Sequence, residues 1–214
     1  MYKQVAIAGI HTGIGKTVAS AVLAEALDAD YWKPVQAGEL DNSDTKIVGS
    51  LLNNGASRVH PEAFRLTKPM SPHAAADIDN VVIDHKTFSF PATEKPLLIE
   101  TAGGLLSPLN SIATMAEFIS YYKLPAILIS SNYLGSINHT LLSLEVLKNR
   151  NIPLAGLIMC GHPNKDSEEY IETYSGISIT ARIPFFEELS KEAIAQCAAG
   201  IKTQLSQVLN DEHA

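Results

Sequence analysis

The chain has 214 residues, 46% of them hydrophobic, and a formal net charge of −7. That length fits one domain with a core large enough to need no staples, and the acidic balance argues against nonspecific binding to nucleic acid or to an anionic membrane surface. No run of 18 apolar residues occurs and the start goes straight into a strand-like run, so neither a transmembrane span nor a signal peptide is expected.

In chain order, Gln4 to Gly9 is an apolar run that reads as a buried strand. It leads into Ile10-His11-Thr12-Gly13-Ile14-Gly15-Lys16-Thr17, and a helical pattern follows from Lys16 to Leu27. Strand, glycine-bearing loop and helix in that order form the context of a phosphate-binding loop. Backbone N–H groups cradle phosphate oxygens, the lysine reaches the terminal phosphates, and the Thr17 hydroxyl is placed to ligate Mg²⁺. The strict pattern wants a glycine at the position of Ile10; Gly9 stands one residue early.

Tyr31-Trp32-Lys33-Pro34-Val35-Gln36-Ala37-Gly38 reads as a short second strand and a turn. Positions 45 to 93 are less regular, with helices predicted near Lys46–Asn53 and Pro72–Ala76. Strands are predicted at Pro96–Glu100, Ala126–Ser130 and Ala155–Met159, with a shorter one at Ser178–Ile183. Helices are predicted at Met115–Tyr122, Ile137–Lys148 and Lys191–Leu209, and a frayed tail at Asn210–Ala214. Continuous apolar strands alternating with helices predict a single α/β domain: a doubly wound, mostly parallel sheet covered on both faces, with ligands at the carboxyl ends of its strands.

Three residues at strand ends carry chemistry. Glu100 closes Leu97-Leu98-Ile99-Glu100 and precedes Thr101-Ala102-Gly103-Gly104; a carboxylate there faces the loop's site and suits Mg²⁺. Lys33 either snorkels to the surface or points into the same site and stabilises developing negative charge. Asp44, in Asn42-Ser43-Asp44-Thr45, reads from spacing as a helix cap, with a Mg²⁺ ligand as the alternative. Among the histidines, His73 and His139 have no partner at metal-ligand spacing. No serine-hydrolase elbow surrounds Ser130 or Ser131. Cys160 and Cys197 are far apart, which fits a reduced cytoplasmic protein.

Six segments in order resemble the dethiobiotin synthetase family: Gly9 to Val18, Lys33 to Gly38, Asn42 to Asp44, Ser71 to His73, Glu100 to Gly104 and Leu134 to His139. The early glycine is that family's habit too. The resemblance implies that Gly13, Ile14, Gly15, Lys16, Thr17 and Val18 wrap the phosphates of ATP, with Thr101, Ala102 and Gly103 nearby. It implies that Thr17, Asp44 and Glu100 hold Mg²⁺, and that Lys16, Lys33 and Thr12 serve the reaction. Thr12, Lys33, Ala37 and Gly103 would meet the substrate, 7,8-diaminononanoate, which reacts with CO₂. Gly135, Ser136 and Asn138 would bind its carboxylate end from the neighbouring subunit of a homodimer. Cys160, Gly161, Ile183, Pro184 and Phe185 would border the adenine.

The chain departs from that family at three positions. Ala37 lacks the hydroxyl that some members use on substrate. Cys160 stands where many have an asparagine that reads adenine, which implies looser base selectivity. Gly13 replaces a glutamate found in some. The stretch from Gly9 to Lys33 also reads short, as if a helix or connection were trimmed. The competing expectations are a regulatory ATPase of the ParA/MinD kind and a cobyrinate-type amidoligase. The first would carry a lysine between Gly9 and Thr12 and a basic C-terminal patch; the second would need a glutamine amidotransferase.

Overall fold

A computed structural model describes residues 2–210. Seven parallel strands form one sheet: β1 (Gln4–Gly9), β2 (Asp30–Trp32), β4 (Val59–His60), β6 (Leu97–Glu100), β7 (Ala126–Ser131), β8 (Leu154–Cys160) and β9 (Ile179–Ile183), in the order β4-β2-β6-β1-β7-β8-β9. The short strands β3 (Val35–Ala37) and β5 (Phe64–Leu66) pair in parallel as a second, two-stranded sheet. The helices are α1 (Lys16–Leu27), α2 (Asp44–Leu51), α3 (Pro72–Asp79), α4 (Met115–Tyr121), α5 (Ser136–Asn149), α6 (Lys165–Ser175) and α7 (Lys191–Asn210).

The sequence dictates this layout through burial. β1 is buried from Val5 onward and lies between β6 and β7. A strand covered by helices on both faces has no polar side, so it reads as a continuous apolar run. α1 is small and apolar along most of its length, with Ala19, Ala21, Val22, Leu23, Ala24 and Ala26 buried, and it fits closely between the sheet and α7. Asp28 ends it in a left-handed conformation, and Ala29 alone separates that cap from β2. The trimming expected between Gly9 and Lys33 is therefore in the connection, and the helix keeps 12 residues.

The irregular stretch holds less structure than its length suggests, yet it is anchored. Phe88 and Phe90 pack around Trp32, with centroids at 6.2 and 5.2 Å, and both meet Phe118 of α4. α4 itself starts with a capping box: Thr114 caps the helix while Glu117 accepts the Thr114 N–H at 2.8 Å.

Three features differ from expectation. α6 was not expected; its sequence is polar and only Ile171 and Glu168 are buried. The pairs β3–β5 and β2–β4 use strands of two or three residues, too short for a periodic signal. The Asp44 cap is overturned: Ser43 occupies the cap position and Asp44 is the first helical residue, its carboxylate engaged elsewhere. The predicted tail lies outside the described residues from position 211, while α7 continues through Asn210.

Candidate active site

The carboxyl ends of β1, β2, β6, β7 and β8 meet at the loop before α1. Gly13 and Gly15 have positive φ, 74° and 92°. Gly9 does not; its role is space. A Cβ there would lie 2.8 Å from Cδ and 3.0 Å from Nζ of Lys16. The early glycine thus clears the path of the lysine side chain, which folds back along β1 and donates to the His11 carbonyl at 2.9 Å. Burial pushes the Lys16 pKa down to about 8, against the attraction of Glu100 and Asp44.

Lys33 is the hub. Only 7% exposed, its ammonium pairs with Asp44 and, at 3.2 Å, with Glu100. Burial opposes the charge on Lys33, but Glu100 and Asp44 outweigh it and hold its pKa above the ordinary value. Burial alone would raise the Asp44 pKa; Lys33 and the Thr17 hydroxyl overcome it and hold the carboxyl below its usual range. Thr17 Oγ1 donates to Asp44 Oδ1 at 2.6 Å. Glu100 also accepts from Ser20 Oγ at 2.7 Å and from the Tyr31 hydroxyl at 3.0 Å. The snorkelling alternative for Lys33 is therefore excluded.

Two cavities flank this network. One, of about 280 Å³, is lined by Gly13, Ile14, Gly15, Val18, Cys160, Gly161, Ile183, Pro184 and Phe185, together with Ser131, Phe186 and Leu189, which the sequence did not single out. His162 stacks on Phe185 at its rim, 4.9 Å between centroids. The other, of about 580 Å³, contains Thr12, Lys33, Ala37, Asp44, Ala102 and Gly103. It adds Gln36, Glu39, Asn42 and Ser107, none of which the sequence had assigned a role in the site. Adjacent loop residues thus face different cavities, Thr12 the larger and Gly13 the smaller.

Other predicted residues stand apart. Thr101 is buried, and its hydroxyl donates to the Ile7 carbonyl at 3.2 Å, so its side chain is turned into the sheet. Gly135, Ser136 and Asn138 sit at the start of α5, outside the Lys33 cavity of their own chain. Ser136 is buried and accepts from the Tyr133 N–H at 3.3 Å, and Asn138 is exposed.

The donor set suits a hard divalent cation. Two carboxylates converge on one ammonium, and a hydroxyl is bonded to one of them, so oxygen ligands already surround a point of positive charge. Among the described residues no group of three or more His, Cys, Asp and Glu forms a dedicated metal cage.

The AAA domain family matches residues 3–193. An ATP-dependent dethiobiotin synthetase of Christiangramia forsetii is 47% identical over 199 residues, covering 92% of this chain and 96% of that relative. Enzymes of the same description from Chlamydia pneumoniae and Brucella ovis are each 44% identical, covering 90% and 91% of this chain and 86% and 92% of theirs. Among solved structures, MinD in the MinC:MinD complex of Aquifex aeolicus gives a TM-score of 0.54 at 12% identity, over 99% of this chain and 97% of that one. ParA of pNOB8 bound to nonspecific DNA gives 0.53 at 8% identity over the full length of both. At such low identity these two carry the fold alone.

Proposed function

The chain belongs to the ATP-dependent dethiobiotin synthetase family, and on that premise we propose that it carboxylates 7,8-diaminononanoate with CO₂ and closes the ureido ring at the expense of ATP. The observation that carries this reading is the Lys33–Asp44–Glu100–Thr17 network between two cavities, one apolar and the size of a base, the other lined by Lys33 and Asp44 and large enough for an aliphatic diamine.

In this reading a neutral amine attacks CO₂ in the larger cavity and forms a carbamate. The carbamate oxygen attacks the γ-phosphorus of ATP in line, displacing ADP. The second amine then attacks the carbonyl of the mixed anhydride and expels phosphate. Both reacting partners are anionic, so bringing them together requires fixed positive charge. Lys16 and Lys33 supply it from low-dielectric positions, where such groups need no reorganisation during the reaction. Thr12 and Gly103 border the substrate, and the backbone from Gly13 to Val18 holds the phosphates. Thr17, Asp44 and Glu100 would hold Mg²⁺, which would supply positive charge against the phosphates when bound. The base would lie between Cys160, Gly161, Ile183, Pro184 and Phe185.

A homodimer completes the site in this proposal. Leu134, Leu142 and Leu106 are 103%, 56% and 51% exposed around the α5 face that carries Gly135 and Asn138. A second copy would cover this face and deliver those residues to the substrate's carboxylate end. Both cysteines are free, and among the described residues no helix is long and apolar enough to cross a membrane. The free thiols fit the reduced cytoplasm we propose for the enzyme.

The test is ADP release measured with each component omitted in turn. It should require diaminononanoate and bicarbonate together, cease with a chelator and return with Mg²⁺. ATP hydrolysis independent of both and stimulated by DNA or lipid would overturn the reading.

A further inference from the structure

The larger cavity holds a charge imbalance. Asp44 and Glu100 are committed to Lys33, Thr17, Ser20 and Tyr31. Neither carboxylate is therefore free to take an incoming ammonium. A vicinal diamine enters at neutral pH largely as an ammonium, and Lys33 repels it.

One acidic side chain in the cavity wall is uncommitted. Glu39 lines the cavity, and its carboxylate makes no hydrogen bond or ion pair among the described residues. Its backbone is held in the left-handed region, φ 52° and ψ 35°, where a side chain larger than glycine is strained. Such strain persists only where the surroundings over-determine it, and here they do. Gly38 donates to the Leu66 carbonyl at 2.8 Å, Gln36 Nε2 donates to the Gly38 carbonyl at 3.0 Å, and the Asn42 N–H donates to the Glu39 carbonyl at 2.9 Å. Arg65 holds the Leu40 carbonyl at 3.1 Å. At Gly38 a Cβ would fall 2.6 Å from Cα of Pro69, so the turn cannot open on that side. Two residues earlier, Ala37 gives the cavity only a methyl group.

We propose that Glu39 binds the substrate's ammonium group and so selects a diamine over an uncharged chain of the same length. The assignment rests on the diamine reading of this cavity. It gives the strained turn a use: an exposed acidic arm in the wall of the same cavity that Lys33 lines.

The test is a comparison of Glu39→Gln and Glu39→Asp with the wild type in steady-state ADP release, with nonanoate as an amine-free competitor. Glu39→Gln should raise the KM for diaminononanoate about tenfold, the loss of one charge-assisted hydrogen bond. The KM for ATP, the melting temperature and the inhibition constant of nonanoate should not change, and Glu39→Asp should recover part of the loss. A diamine KM within about twofold of wild type in Glu39→Gln would overturn the assignment. So would an equal weakening of nonanoate, which would mark a general distortion of the wall. A wild type that releases no diamine-dependent ADP would instead bring down the reading of the whole cavity, and Glu39 with it.

Discussion

Gly9→Ala separates the stability of this fold from the operation of its site. Gly9 is buried at the end of β1 and its φ is not positive, so alanine can adopt its backbone conformation. The added methyl meets Cδ of Lys16 at 2.8 Å and Nζ at 3.0 Å, the far end of a flexible side chain, and the His11 carbonyl at 3.2 Å. The lysine must move; the backbone need give only slightly. Reduced freedom of the unfolded chain contributes about 0.4–1 kcal/mol of stability, which offsets that small strain. The net change should stay within about 1 kcal/mol, or roughly 2–4 °C in melting temperature for a chain of this size. Activity should suffer far more, because Lys16 loses the His11 carbonyl and its preset direction. Losing one such electrostatic donor costs about 10²–10³ in kcat. Thermal melts and diamine-dependent ADP release on the same preparation test both halves. Turnover within roughly threefold of wild type would refute the claim that Gly9 is there to make room for the lysine.

Lys33→Met leaves Asp44 and Glu100 facing each other without their cation, and should cost about 3–5 kcal/mol in metal-free buffer. Mg²⁺ should raise the melting temperature of that variant more than that of the wild type; no difference would count against Asp44 and Glu100 as a cation site. With the base proposed to lie between apolar walls and one thiol, CTP and GTP should support nucleoside-diphosphate release within about tenfold of ATP in kcat/KM, and Cys160→Asn should sharpen the preference for ATP. A wild type strictly dependent on ATP would contradict this. Burial pushes the Cys160 thiol up to about 12, so native protein treated with iodoacetamide at pH 8 should keep Cys160 unmodified by peptide mass spectrometry, and the unfolded chain should lose it.

The strands that carry the site were legible because burial on both faces leaves an unbroken apolar run, as in Val5 to Ala8 and Leu97 to Ile99. The phosphate loop was legible from residue order alone, but the reason for its early glycine was not. That reason is a contact between Gly9 and Lys16, seven residues apart, which spacing does not encode. Asp44 misled for a similar cause. Asn-Ser-Asp before an apolar run is a local capping signal, but Ser43 takes the cap position with its hydroxyl on Glu62 at 2.8 Å, and a lysine eleven residues upstream claims the Asp44 carboxylate. Glu39 gave no sequence signal, because its strain and its unpaired carboxylate exist only once Gly38 packs on Pro69. α6 was hidden because Glu168, a buried residue on its inner face, is charged; Arg182 of β9 neutralises it at 2.7 Å, a pairing invisible to any hydrophobic pattern.

Lys16, Thr17 and Ser20 all ride on the first turns of α1, and each meets a different part of the network. α1 also packs on α7, whose Ile194, Ala198, Ile201 and Leu205 are buried. A small roll of α1 about its axis would therefore detune all three contacts at once, much as one loose peg detunes several strings. Among its described residues α7 lines neither cavity, yet it sets the pitch of the chemistry. Substitutions on its inner face should slow turnover before they unfold the chain.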